Sequence, residues 1–447
     1  MIDWAAMTGV LADVLSREGL WDVVDERVRG GEVFRNKDFP LSPVPVLIDH
    51  GAATEYAAAV EKYVQLLNKI IRLYVAEDSV RRWYGLTAEE EALVLADQRL
   101  GGEVAVCRLD GYLEQGTERP VLLENNADAP AGTLFTARIN HLVRGLLADL
   151  GARAHWSPLT YAEDTALLST LRACARRAGA PEPGHIAILQ PTGAANRESV
   201  ETVEVLRRAG VEAFLADPRD ARLVGKRVFF GDKPADACWN KVNTATWRTL
   251  LAEDPATVHR LLDIVTDAEF VHVNPFGARY VAESKLSLAL PREPEFAHLF
   301  TDDDRALVES LLPWGRRLTP RATAENGASL ADDLVENQAA YVLKEAYDIR
   351  GDGVTIGRAV SRSSWLAAVA RGLDEGHLVQ RHVAPAAYPT VRRDGPRVVA
   401  MPISLDTYLF NGRVAGFGSK ASLNARVNVF QGGQKLAVHV GAVADAR

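Results

Sequence analysis

Arg108, Asp110, Glu124 and Asn126 stand within CRLDGYLEQGTERPVLLENNADAPAGT, residues 107–133, and their types and spacing suit a cation or phosphate site. Side chains two apart on a strand share a face, which would put Arg108 beside Asp110 and Glu124 beside Asn126. Leu109, Leu122 and Leu123 supply the apolar partners of a half-buried ribbon, and Gln115-Gly116-Thr117 supplies the turn between its arms. Pairing the arms gathers two carboxylates and an amide oxygen, which repel each other unless a cation or a set of donors sits among them. Magnesium fits so sparse a site, because one or two carboxylates hold it while water and phosphate complete its shell. The plain alternative is a solvated face on which Arg108 pairs with both acids.

The elements that must position these groups belong to a chain of 447 residues, long enough for two or three domains with a sizeable interior. Hydrophobic residues make up 47% and charged residues 25%, an ordinary globular balance. A formal net charge of −8 argues against nucleic acid or an anionic membrane as the main partner. No apolar run reaches the length of a membrane span, and the opening MIDWAAMTGVLADVLSREG has no basic leader pattern, so a cytoplasmic protein is expected. Cys107, Cys174 and Cys238 have neither disulfide nor zinc spacing and read as small core residues. Basic residues are 41 Arg and only 10 Lys, so a lysine on a strand beside a glycine turn carries unusual information.

Residues 54–75 show apolar positions at helical spacing from Val60 to Tyr74, with Thr54 as the expected cap. After the hairpin, TLFTARINHLVRGLLADLG reads as a helix ending at Gly151. From His185, HIAIL, RESVETVEVLRRAG and VEAFLADP read as strand, helix and strand, a βαβ unit whose first turn lacks the GxGxxG spacing of dinucleotide folds. RVFFGDKPADACWNKV reads as a strand ending at Asn240 and Lys241. In the last third, AAYVLKEAYDIRGDGVTIGR reads as strand, glycine loop and strand, EGHLVQRHV adds a strand, LDTYLFNGRVAGFGSK carries an Asn-Gly hairpin signal, and RVNVFQGGQKLAVHV closes as a ribbon.

Lys344 shares a strand face with Val342 and precedes the loop bearing Gly351 and Gly353, which suits an ammonium reaching phosphate while backbone amides cover it. A surface β-turn is the bland reading. Lys285, on an expected helix, would alone be a solvated lysine. Gln380, between Val379 and Arg381, could face an adenine edge or simply be a satisfied buried side chain.

Taken together, RLDGYL…LLENNADAPAGT, NPFGARYVAESKLSLAL, LLPWGRRL, YVLKEAYDIRGDGVTIG, LVQRHV and ARVNVFQGG resemble the circularly permuted ATP-grasp enzymes, the group that includes glutathionylspermidine synthase, from about residue 35 to the end. The resemblance implies an α/β chain with α+β lobes: a helical region plus metal-binding hairpin over 1–151, a Rossmann-like substrate-side βαβ domain over 152–262, and ATP-grasp nucleotide-binding lobes over 263–447. It implies Asp110, Glu124 and Asn126 as magnesium ligands and Arg108 beside the transferring phosphate. Lys285 and Lys344 would contact ATP, Gly351 and Gly353 would form a mobile loop over the phosphates, and Gln380 would mark the adenine hinge. Lys241 stands where many relatives carry an Arg at the end of the substrate-side strand, and Arg426 with Asn428 matches a substrate-facing end of the terminal ribbon.

The expected activity is that of an ATP- and magnesium-dependent ligase. It would join an amino acid or short-peptide carboxylate to an amine as a peptide or γ-glutamyl bond, through an acylphosphate, releasing ADP and phosphate in small-molecule or natural-product biosynthesis. Synthesis without a separate amidase activity is expected, and a homodimer is compatible. Two readings from other classes stand beside it: a non-catalytic nucleotide-binding scaffold or regulator, and a nicotinamide-dependent oxidoreductase on the 185–218 unit, which the missing glycine fingerprint disfavours.

Overall fold

The computed structural model describes residues 1–30, 40–98, 102–149, 157, 159–161, 165–194, 196–348, 351–393, 397–427, 429 and 433–441. Its centre is a six-stranded sheet in the order Val46–Ile48, Gln434–Val440, Arg413–Ala421, Ser404–Phe410, Val106–Leu113 and Pro120–Asn126. Val46–Ile48 runs parallel to its neighbour and the other pairs are antiparallel. Strands from the first and last thirds of the chain therefore share one sheet. Asn411 and Gly412, both at positive φ (49° and 71°), make the tight turn that the Asn-Gly signal predicts.

Alternation along these strands sorts side chains by chemistry. Cys107, Leu109, Asn125 and Thr407 face the helix His50–Ala76, where Tyr63 donates to Asn125 at 3.1 Å and Thr407 donates to the Tyr56 hydroxyl at 3.2 Å. Every apolar position of the expected stripe, from Val60 to Tyr74, is buried there. Each such side chain contributes roughly 1.5–3 kcal/mol by leaving water. The helix begins five residues earlier than the Thr54 cap implies. Asp49 accepts from the Ala52 amide, and Thr54 donates to the His50 carbonyl inside the first turn. On the opposite face lies the helix Phe135–Asp149, whose Asn140 bonds the Phe417 carbonyl and the Val438 amide, bridging a gap in the ladder between two strands. The Gly151 terminus expected for it lies outside the described residues.

The βαβ unit is present as His185–Leu189, Arg197–Arg208 and Glu212–Ala216, in a four-stranded parallel sheet with Ala237–Asn240 and Val271–Val273. The long run before Asn240 is not one strand: turns at Gly231 and Asp236 break it into Arg227–Phe230, Lys233–Ala235 and Ala237–Asn240. A third sheet, antiparallel throughout, has the order Gly315–Arg317, Leu378–Arg381, Tyr341–Lys344 and Val354–Ile356. Tyr341, Leu343 and Val379 pack on Trp365 and Leu334 of the helices Arg362–Glu375 and Leu330–Glu336. The other face of that sheet carries Val342, Lys344 and Gln380 toward the central sheet. Among the described residues no helix is long and apolar enough to cross a membrane.

Candidate active site

The hairpin register places Arg108 opposite Asn126 and Asp110 opposite Glu124, with an irregularity after Asp110. Gly111 is required there, because a Cβ at that position would sit 2.5 Å from the Val121 carbonyl oxygen. On its other side Asp110 is opposite Asp406, so Glu124, Asp110 and Asp406 form a row of three carboxylates across adjacent strands. On the next two strands the row meets Gly418 and Ala437, and Lys420 and Lys435, opposite each other, lie two residues away along the same face.

Such a row is stable only because cations are threaded through it. Arg108 makes a two-pronged contact to Asp110 (2.5 and 3.0 Å) and reaches Asn126 at 3.3 Å and the Ala131 carbonyl at 2.7 Å. Lys420 bridges Asp110 at 3.2 Å and Asp406 at 3.0 Å. Burial alone would raise the Asp110 carboxyl, but Arg108 and Lys420 hold it well below the usual carboxylate range. Lys285, 1% exposed, lies between Glu124 (3.0 Å) and Asp348. Those two acids overcome its burial and raise its ammonium above the ordinary lysine value. Behind it, Glu283 accepts from the Ala127 and Asp128 amides, and burial followed by Asp128 pushes its carboxyl well up.

Two lysines lack such partners. Lys344 donates to the Leu123 carbonyl at 2.7 Å and has no carboxylate within ion-pair distance among the described residues; burial pushes it down to about 8. Lys435 is likewise pushed down to about 8 by burial and by Lys420. Among the described residues five cations thus face four carboxylates on this surface, and the two without an ion-pair partner, Lys344 and Lys435, lie toward its opposite edges. An anion at either end would be favoured electrostatically.

The remaining expected residues fall around this row. Gly351 (φ +76°) and Gly353 lie in the connection between Tyr341–Lys344 and Val354–Ile356, where the Gly353 amide donates to Asp348 at 3.0 Å. A Cβ on Gly353 would sit 2.8 Å from that of Asp348. Arg426 donates to the Val354 carbonyl at 3.0 Å, beside the same connection; Asn428 lies outside the described residues. Gln380 is buried at mid-strand, opposite Val342 and Gly315, on the face that carries Lys344. Lys285 opens a short 3-10 turn rather than a regular helix. Lys241 is buried over the Trp239 ring, pairs with Glu198 at 3.2 Å and donates to the Pro130 carbonyl. Glu198 in turn accepts from the Gly132 and Leu134 amides, so Lys241 reaches the row through the 130–134 loop that Arg108 also grips.

Asp406, Lys420, Lys435 and Asp348 were not anticipated. A signal for the first three exists: a charged residue inside a run of buried strand positions is rare unless paired, and Asp406 sits in SLDTYLF, all seven positions of which are buried. A separate cavity of about 370 Å³, lined by Arg17, Trp21, Arg392, Arg393 and Arg397 among others, shares none of these side chains.

Asp110 carries the largest share of this balance. Replacing Asp110 with Asn should cost about 3–5 kcal/mol, because Arg108 and Lys420 stay buried with their shared counter-charge removed. With the native carboxyl held low, its contribution is fully present above the unfolded value near 4 and is lost as pH falls below it. Urea unfolding should therefore show the gap between wild type and variant at pH 7 and its narrowing below about pH 4. An unchanged midpoint at pH 7 would contradict the charge balance.

The fold is shared with a glutathione synthetase-like effector from Globodera pallida in its apo form, at a TM-score of 0.55 and 13% identity over 97% of each chain. A protein provisionally assigned as γ-glutamylcysteine synthetase from Methylobacillus flagellatus KT (TM-score 0.43, 12% identity, 84% of this chain and 87% of that one) lies further away. So does D-alanyl-alanine synthetase A from Vibrio cholerae (TM-score 0.28, 11% identity, 49% and 66%), and at those scores neither bears on function. No family model and no curated relative matches the chain. The chain is thus a mixed α/β protein with the fold of a glutathione synthetase-like structure.

Proposed function

We propose that the protein is an ATP- and magnesium-dependent carboxylate–amine ligase of the ATP-grasp type in its circularly permuted order. It would join an amino acid or short-peptide carboxylate to an amine. The observation that carries this reading is the half-buried row Glu124–Asp110–Asp406, threaded with cations and flanked by Lys344 and Lys435. A reaction that brings a polyphosphate against an anionic acid needs such preorganised positive charge. In this reading the hairpin of 1–151 and the strands of 263–447 form the nucleotide-binding core, and 152–262, with its parallel sheet, forms the substrate side.

Among the described residues no three His, Cys, Asp or Glu side chains are grouped closely enough to hold a metal ion. Magnesium asks for less: one or two carboxylates, with phosphate and water for the rest. Glu124 fits the ion best, since one of its oxygens pairs with Lys285 and the other has no protein partner among the described residues; Asp110 and Asn126 would join it only on giving up contacts to Arg108 and Lys420. When bound, it would neutralise charge between phosphate and carboxylate. Lys344, satisfied only by a carbonyl, would bind phosphate, and Lys285 would exchange Asp348 for a phosphate oxygen. Gln380, on the same sheet face as Lys344, would meet the adenine, and the Gly351 and Gly353 backbone would cover the phosphates with Arg426 beside it. Arg108 would neutralise the transferring phosphoryl group, and Lys241 would act through the 130–134 loop.

The chemistry balances simply. A carboxylate oxygen attacks the γ-phosphorus and ADP leaves; the amine then attacks the acyl carbon, phosphate leaves and the amine loses its proton. The joined substrates lose one water equivalent in total.

Glu124→Gln should leave stability within about 1 kcal/mol of wild type, since Lys285 keeps Asp348, yet lower turnover by about 10²-fold or more. Unchanged steady-state turnover would remove Glu124 from the metal site. Lys344→Met should weaken ATP binding by about tenfold or more in calorimetric titration, a charge-assisted phosphate contact being lost. Wild-type affinity would move the nucleotide to another part of the fold.

A further inference from the structure

The cavity of about 370 Å³ lies where the start of the helix Leu20–Gly30 meets the paired strands Ala387–Val391 and Val398–Pro402. Its volume falls within the roughly 300–1,000 Å³ of small-molecule sites. Val391 and Val398 are the last pair of that ladder, and the Arg392 amide donates to the Arg397 carbonyl at 3.0 Å, so Arg392 and Arg397 stand directly opposite each other. Like charges so placed repel unless an anion joins them. Arg393 is neutralised, since it pairs with Asp25 and lies 5.1 Å over the Trp21 ring. The guanidiniums of Arg17, Arg392 and Arg397 have no ion-pair or hydrogen-bond partner among the described residues, and Asp22, also on the wall, pairs with none of them. Three such cations against one carboxylate leave a surplus of two positive charges, in a chain whose net charge is −8.

We infer that this cavity binds a small organic phosphomonoester, its dianionic phosphate held by Arg17, Arg392 and Arg397 and its organic body lying along the Trp21 indole. Guanidinium forks match the oxygens of phosphate and carboxylate alike. A single carboxylate, with one charge and two oxygens, saturates one fork and leaves the others repelling each other. A phosphomonoester brings three terminal oxygens and a charge of about −2 near neutral pH, which matches the surplus. The indole supplies a broad apolar wall for a planar or hydrocarbon body. This site is independent of the ligase reading, because no side chain of the charged row lines the cavity.

The test is calorimetric titration of the full chain with phenyl phosphate and with phenyl sulfate, a probe of nearly the same shape and one charge fewer, at about pH 8, where the ester is dianionic. Phenyl phosphate should bind about tenfold tighter or more than phenyl sulfate, and tighter than inorganic phosphate, which has no body to meet Trp21. Arg392→Gln and Arg397→Gln should each weaken phenyl phosphate by about tenfold, while Arg397→Gln leaves ATP affinity and Lys344→Met leaves phenyl phosphate affinity unchanged. The comparison of probes on the wild-type protein stands even where a variant does not fold. No binding of phenyl phosphate, equal binding of the sulfate, or tighter binding of the dicarboxylate phthalate would each overturn the site. So would wild-type affinity in both folded arginine variants. Loss of phenyl phosphate binding in Lys344→Met would place the probe on the charged row instead and overturn it as well.

Discussion

Asp110 held between Arg108 and Lys420 is the contact on which the rest of this structure depends. Each of its partners comes from a different part of the chain: Arg108 from the same strand, Lys420 from a strand more than three hundred residues later, and Glu124 and Asp406 from the strands on either side. Three carboxylates in adjacent register would push the central sheet apart if they faced only one another. The cations that prevent this also fix the register, since a one-residue slip would turn every charge on this face into the apolar layer against His50–Ala76.

That balance is incomplete, and the incompleteness is informative. Asp110 is saturated by Arg108 and Lys420, whereas Lys344, buried, and Lys435, half-buried, have no carboxylate partner among the described residues. Burying such groups lowers stability, and retaining them is the usual mark of a site completed by a ligand. The two ends differ in setting. Lys344 belongs to the sheet with the glycine-bearing connection and Gln380, while Lys435 belongs to the closing strand, opposite Lys420.

Much of this was legible in the sequence, and the residues show why. Strand alternation alone places Arg108, Asp110, Glu124 and Asn126 on one face, because hairpin pairing is local and its turn is marked. The helical stripe from Val60 to Tyr74, the βαβ unit and the Asn411-Gly412 turn are local signals of the same kind. The neighbours that complete the row are not local. Nothing near Asp110 announces that Ser404–Phe410 will lie against it, so Asp406, Lys420 and Lys435 went unread although their burial in apolar strands was a usable sign. The sequence predicts a helix at Lys285 because a 3-10 turn shares the apolar spacing of a short helix. Lys241 read as a substrate group because its partner Glu198 lies in a helix whose approach to the 130–134 loop is set by tertiary packing.

The most direct test of the proposal that this cation-threaded row serves a carboxylate–amine ligase is product analysis. Purified protein would be given ATP, magnesium and pools of amino acids, with phosphate followed over time, ADP distinguished from AMP, and products identified by mass spectrometry. ADP and phosphate formed only with particular pools, together with a condensed product that has lost one water, is the expected result. AMP in place of ADP, or no turnover in any pool by a protein that demonstrably binds ATP, would contradict it.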